Sequence, residues 1–297
     1  MPVQPCWQSY KPVMRFPRRK FRNNSQLLSR LSRFKRDDVH GLPRRRGIYL
    51  LPNLLTTTSL FCGFFAIVQA MNQRFEVAAI SIFIAMIFDG LDGRIARMTN
   101  TQSAFGAEYD SLSDMVTFGA APALIIYEWA LKGMGKLGWI AAFIYVACAA
   151  LRLARFNTNI DVVDKRYFQG LPSPAAAGLV VGLVWILHDY QISGRDVNWL
   201  AWGFAVYAGL TMVSNVPFYS GKEFNLRKSV PFVVMVIIAL IFVAVAYDPP
   251  TMLFAVFCAY GLSGYFLYLW RRYRGEPTSL VSTQVDSDSD QDSRNNS

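Results

Sequence analysis

Histidine and cysteine are scarce in this chain, two and four in 297 residues. His40 and His188 stand alone, so a histidine metal centre or histidine general base has no support in the sequence. Cys6 lies in a polar tail and Cys62, Cys148 and Cys258 lie in apolar runs, which argues against a disulfide framework. Acidic residues are outnumbered by basic ones, 20 against 30, and no internal repeat is evident. The first 49 residues lack the early apolar core of a secretory signal, although their Arg-rich, acid-poor composition also fits an organelle transit peptide.

Apolar sequence is abundant. Hydrophobic residues make up 53% of the chain and aromatic residues 14%. Eight runs of roughly 20 residues, each long enough to cross about 30 Å of hydrocarbon, cover 51–71, 75–97, 109–131, 137–155, 174–190, 199–217, 230–247 and 252–270. The pattern predicts an all-α, polytopic integral membrane helical bundle of about eight transmembrane helices over residues 50–272. If the runs alternate in direction, every Lys and Arg falls on one side except Arg74, Lys132, Lys136 and Arg195. The positive-inside tendency then puts both termini in the cytoplasm, in a cell (inner) membrane, multi-pass.

Residues 1–49 form a basic region. Within SQLLSRLSRFKR (25–36), Leu27, Leu28, Leu31 and Phe34 share one helical face against Arg30, Arg33, Lys35 and Arg36, the pattern of a helix lying on an anionic bilayer surface. A disordered basic tail is the plainer alternative. Nucleic acid is not the expected partner, because the excess charge adjoins a membrane span. Residues 273–297, ending SDSDQDSRNNS, read as a disordered polar and acidic tail.

Against this apolar background stands DGLDGRIARMTNTQSAFGAEYDSLSD, residues 89–114, with the spacing D-x2-D-G-x2-A-R-x8-G-x3-D-x3-D. Ionised groups at membrane depth are costly unless paired with one another, with metal or with substrate. At about 100° per residue, Asp89, Asp92, Gly93 and Ala96 share one helical face with Arg97 at its edge. Gly106, Asp110 and Asp114 share a face of the next helix. Packed together, the two faces would present four carboxylates to one point beside a strip of small residues. Oxygen-only ligands suit Mg²⁺, Mn²⁺ or Ca²⁺ rather than zinc, and Mg²⁺ commonly works through a few carboxylates plus substrate phosphates. A phosphorylated substrate is implied.

The eight-position pattern resembles the signature of the CDP-alcohol phosphotransferases, integral membrane enzymes that move a phosphatidyl or related group from a CDP-linked lipid to an alcohol and release CMP. LPNLLTTTSLFCGFFA (51–66), LRLARFN (151–157) and FQGLPSPAAAG (168–178) are similar to the branch of that family that uses serine as acceptor. The resemblance implies that Asp89, Asp92, Asp110 and Asp114 bind one or two divalent ions, Mg²⁺ or Mn²⁺, and that Asp114 also accepts the proton of the attacking alcohol. It implies that Gly93, Ala96, Arg97 and Ser103 contact the CDP-lipid, with Asn53 and Thr56 as further candidates, and that the protein is a homodimer. For Gly93 and Ala96 the alternative is close helix packing; for Asn53 and Thr56 it is a hydrogen bond across helices. Arg152 and Arg155, at the cytoplasmic end of the fourth run, are candidates for the serine carboxylate. So is Ser173, read as the N-cap of a helix with Pro174 at its first position.

The expected substrates are CDP-diacylglycerol and L-serine. Glycerol 3-phosphate, inositol or choline as acceptor is the near alternative. A cation transporter is the alternative of a different class, and it leaves the Gly-x2-Ala-Arg and Gly-x3-Asp spacing without a reason.

Overall fold

The computed structural model of the chain describes residues 50–158, 167–219 and 232–274. The expectations for the basic N-terminal region and for the tail beyond Arg274 lie outside the described residues. Within them, helices stand at all eight expected places. They are α1 (Leu50–Met71), α2 (Phe75–Met98), a composite third passage, α5 (Lys136–Thr158), α6 (Ser173–Asp189), α7 (Asn198–Val213), α8 (Phe232–Tyr247) and α9 (Pro249–Arg274). The third passage starts earlier than its apolar run suggests. It runs as α3 (Ala104–Asp114), a π-helical turn (Met115–Ala120), α4 (Ala121–Ile126), a second π-helical turn (Tyr127–Leu131) and a 3₁₀ turn (Lys132–Met134).

Three of these helices, α1, α5 and α9, are long and apolar enough to cross a membrane by length and composition. α2 has 24 residues but carries the aspartates and Arg94 and Arg97. α6, α7 and α8 have 17, 16 and 16 residues, or about 25 Å at 1.5 Å per residue, and α7 is shorter than its apolar run led one to expect.

The outer surface belongs in hydrocarbon. Phe61, Phe64, Phe143, Leu262 and Phe266 are each more than half exposed, which in water would be a large uncompensated apolar patch. The interior is packed with small residues instead. Pro52, Thr56, Ser59, Gly63, Ala66 and Ala70 recur at intervals of three and four and form the buried stripe of α1. That stripe lets α1 lie close to α2, where Ala78, Ser81, Ile82 and Ala85 are buried, as expected where no hydrophobic drive separates helix from lipid. A Cβ on Gly63 would stand 2.6 Å from the Thr117 hydroxyl, so α1 also sits tightly against the first π-helical turn. α6 is the central post, buried at every position from Ala175 to Trp185. A Cβ on its Gly178 would lie 2.7 Å from the Phe257 ring of α9.

Pro122 gives the third passage part of its irregularity. It has no N–H to return to the carbonyl of Phe118 four residues earlier. That carbonyl accepts a hydrogen bond of 3.1 Å from the fully buried Tyr145 hydroxyl of α5.

One feature departs from an all-helical reading. Tyr167–Gln169 (β1) pairs antiparallel with Pro217–Tyr219 (β2), Gln169 opposite Pro217. The Gly170 N–H donates to Val216 O and the Leu171 N–H to Thr211 O. Gly170 takes φ 78, and a Cβ there would collide with the Met212 carbonyl. The ribbon ends α7 at Val213, before the expected 217, and anchors the chain that enters α6.

Candidate active site

Two helices deliver the carboxylates. Asp89 and Asp92 come from the last turns of α2, and Asp110 and Asp114 from the last turns of α3. The connection between them is tightly built. The Thr101 N–H donates to Ala96 O, and Asn100 takes φ 52, a conformation asparagine tolerates better than most residues. Ser103 then caps α3, its hydroxyl accepting from the Gly106 N–H at 3.0 Å.

One oxygen from each of Asp89, Asp92 and Asp110 lies within 4.8 Å of the others. Asp89 and Asp114 meet side chain to side chain. Among the described residues none of the four has an ion-pair partner within 4.0 Å. One oxygen of Asp110 and one of Asp114 are buried without a hydrogen-bond partner. At an effective dielectric of about 20, two like charges about 5 Å apart repel by about 3 kcal/mol, so such a group calls for a compensating cation. Clustered carboxylate oxygens, some of them unsatisfied, fit a hard divalent ion. The residues present can therefore hold a metal.

Hydroxyl groups on α1 and on the third passage hold the cluster in place. Thr56 donates to Asp92 Oδ2 at 2.6 Å, while the Ser113 hydroxyl donates to Thr56 O and the Thr117 hydroxyl to Ser59 O. The Thr57 hydroxyl meets the Tyr109 hydroxyl at 2.9 Å. The cross-helix role weighed for Thr56 is thus present, and its target is a carboxylate of the cluster.

Beside the carboxylates opens a cavity of about 270 Å³. Asn53, Thr56, Asp92, Gly93, Ala96, Arg97, Ser103, Gly106 and Asp110 all line it, so the residues singled out in the sequence for the CDP-lipid converge on one space. Thr101 and Gln102 join them from the connection. A Cβ on Gly93 would meet no atom within 4 Å, so close helix packing is not what glycine provides there. Gly106 differs, since a Cβ would come within 3.1 Å of the Ser103 hydroxyl and 3.4 Å of Asn53 Oδ1. Arg97 is exposed and has no ion pair among the described residues.

The acceptor candidates divide. Arg152 lies deeper, its positive charge felt by both Asp114 and Asp89, and donates to the fully buried Ser173 hydroxyl. Ser173 does not cap α6 as the sequence suggested. The helix begins at Ser173 itself, Pro172 is the N-cap without a side-chain bond, and the serine hydroxyl is taken by Arg152. Arg155 is engaged elsewhere, donating to Gln169 Oε1 at 2.7 Å, Asn215 Oδ1 at 2.6 Å and Val213 O at 3.3 Å. It clamps α5 to the ribbon and to the end of α7.

Sequence reasoning passed over Thr57, Tyr109, Gln169 and Asn215. The polar run Thr56-Thr57-Thr58-Ser59 inside an apolar helix was a usable signal for the first pair, since hydroxyl groups in such a helix seek partners on neighbouring helices. Gln169 and Asn215 carry none, because ribbon pairing is what brings them to Arg155.

The sequence pattern of the CDP-alcohol phosphatidyltransferase family matches residues 49–214. A Helicobacter pylori protein (strain J99) named CDP-diacylglycerol–serine O-phosphatidyltransferase is 40% identical over 196 residues, 66% of this chain and 83% of its own length. Proteins of the same name from Mycobacterium tuberculosis (strain H37Rv) and Methanocaldococcus jannaschii are 31% and 37% identical over 228 and 181 residues, covering 74% and 60% of this chain and 79% of each relative. The matched stretch contains the aspartate segment and the helices that carry it, and the chain belongs to the CDP-alcohol phosphatidyltransferase family, as an integral membrane protein.

Proposed function

We propose that this protein transfers the phosphatidyl group of CDP-diacylglycerol to the hydroxyl of L-serine, giving phosphatidylserine and CMP. The observation that carries the reading is the convergence of Asp89, Asp92 and Asp110, with Asp114 against Asp89, beside a cavity lined by Gly93, Ala96 and Arg97. The names of the relatives supply the acceptor.

The cavity receives the nucleotide end of the lipid. Gly93 leaves room for it, and Arg97, free of ion pairs among the described residues, meets its phosphates with charge-assisted hydrogen bonds. Asn53 and Ser103 offer polar contacts from the cavity wall. Asp89, Asp92 and Asp110, joined by Asp114, would hold one or two divalent ions, Mg²⁺ or Mn²⁺, and what such ions supply when bound is stabilisation of the charge that develops on departing CMP. An alcohol is a weak nucleophile at neutral pH, and Asp114 takes its proton. The serine oxygen forms a bond to the phosphorus that bears diacylglycerol, and the bond from that phosphorus to the CMP oxygen breaks. Arg152, next to Asp114, is placed to meet the serine carboxylate, with Ser173 holding its guanidinium.

The protein works as a homodimer in the cell's inner membrane, with both termini and the site on the cytoplasmic side, where soluble serine meets the lipid. The distribution of Lys and Arg supports that orientation.

Purified protein given CDP-diacylglycerol and a divalent ion should release CMP when L-serine is added. Exhaustive chelation should abolish release, and Mg²⁺ or Mn²⁺ should restore it. CMP release with glycerol 3-phosphate, inositol or choline but not with L-serine would leave the family standing and remove the acceptor.

A further inference from the structure

Arg74, Lys132, Lys136 and Arg195 are the basic residues of the connections at the end of the bundle away from the aspartates. Two of them, Lys132 and Arg195, line a single cavity of about 760 Å³, a volume within the range of small-molecule sites. We propose that this cavity binds the phosphate of a phospholipid headgroup, drawn from the leaflet opposite the aspartate site.

The cavity is a built one. Its wall comes from the α1–α2 turn, from the second π-helical turn with the 3₁₀ turn after it, and from the α6–α7 connection. Gly194 seats that connection directly on backbone, since a Cβ there would collide with the Trp129 carbonyl. Three non-glycine residues among those described have positive φ. Two of them, Gln73 at 61° and Gln191 at 58°, line this cavity, and the third, Asn100, adjoins the aspartate site. Both glutamines close a helix, α1 and α6, in the left-handed cap conformation, the next N–H returning to Gln69 O and Leu187 O, so the rim of the cavity is held by hydrogen-bonded backbone.

The charge selects an anion. Glu128 Oε2 lies 2.8 Å from the Lys132 ammonium, so this pair is internally balanced. The Arg195 side chain is exposed and has no partner among the described residues, which leaves one uncompensated guanidinium on the wall. A phosphate matches its planar fork of donors. The cavity lies where the helices end, with Trp129 and Ile192 supplying apolar wall for the glycerol end of a lipid. With Lys132 held by Glu128, Arg195 is the lining cation left without an ion pair among the described residues.

The test titrates purified full-length protein in detergent with dihexanoyl-phosphatidylglycerol, following the thermal unfolding midpoint. Dihexanoylglycerol, with the same chains and no phosphate, and inorganic phosphate are titrated alongside. The phospholipid should stabilise saturably. Arg195→Gln should weaken it about tenfold or more, the loss of one charge-assisted contact, and Arg195→Lys should retain part of the binding. Unliganded midpoints and elution volumes identify a variant that folds poorly, in which case Lys132→Gln is read in its place. Unchanged phospholipid affinity in both Arg195→Gln and Lys132→Gln would overturn the proposal. Equal affinity for dihexanoylglycerol would overturn it too, and so would equal affinity for inorganic phosphate, which would make the site one for a soluble anion.

Discussion

Each carboxylate of the site has a different neighbourhood, and so a different expected cost of removal. Asp92 is buried and held by Thr56, whereas Asp114 adjoins Asp89 and Arg152 and keeps one oxygen unpaired. Asp114→Asn keeps the volume and removes the proton acceptor. CMP release should fall at least about 10²-fold, the usual contribution of general-base catalysis, while CDP-diacylglycerol binding in an equilibrium assay survives. Near-normal turnover would assign the proton to another group. Gly93 provides a second contrast. In a helix a leucine is favoured over glycine by roughly 0.5 to 1 kcal/mol, and at Gly93 there is nothing for a Cβ to strike. Gly93→Leu should therefore unfold at the same or a higher temperature and yet lose most activity, because the side chain enters the cavity. Loss of stability together with activity would mean that Gly93 serves packing after all.

At the scale of elements, α1 is the surface against which both aspartate-bearing helices are aligned. Its contact with the first π-helical turn leaves no space at Gly63, where an added Cβ would lie 2.8 Å from Thr117 Cα. Gly63→Val should destabilise the protein by about 1 to 3 kcal/mol, the range for overpacking, read as a lowered unfolding midpoint in detergent. It should also lower turnover, since Thr117 ties that turn, and Ser113 the end of α3, to α1 next to Asp114. The two arginines of α5 should separate in kinetics. Arg152→Ala should raise the serine concentration for half-maximal rate by roughly tenfold or more, as expected for a charge-assisted hydrogen bond, with little change toward CDP-diacylglycerol. Arg155→Ala removes the clamp on Gln169 and Asn215, so it should lower the unfolding midpoint without a selective effect on serine. The reverse pattern would exchange their roles.

At the scale of the whole molecule, the bundle has two chemically distinct ends. One holds the aspartates and the 270 Å³ cavity; the other holds the polar cavity between the α1–α2 and α6–α7 connections. Trp139, Tyr190, Trp199 and Tyr247, each more than half exposed, sit at helix ends on that second side, as residues of a membrane interface do. In membrane vesicles of known orientation, an impermeant thiol reagent should label Ser193→Cys from the side opposite the cytoplasm and Gln102→Cys from the cytoplasmic side, with the unsubstituted chain as background. Labelling of both from one side would overturn the orientation.

Much of this was legible without coordinates. Residues 89–114 place four aspartates on two helical faces because a spacing of three or four residues is set by the helix itself, and burying such groups in an apolar chain demands a purpose. Eight apolar runs were enough to locate eight helical passages, since hydrocarbon leaves the backbone few other ways to satisfy its hydrogen bonds. Other features depend on contacts between residues far apart in the chain. Pro122 is a local mark of irregularity in the third passage, but the Phe118 carbonyl it leaves unpaired needs Tyr145 from another helix. The ribbon exists because residues 167–169 meet 217–219, and that pairing turned Arg155 from a candidate ligand into a clamp. Ser173 changed from cap to hydrogen-bond partner for the same reason, Arg152 having reached it across the bundle. Local periodicity names the groups that must be neutralised, while three-dimensional packing assigns their partners.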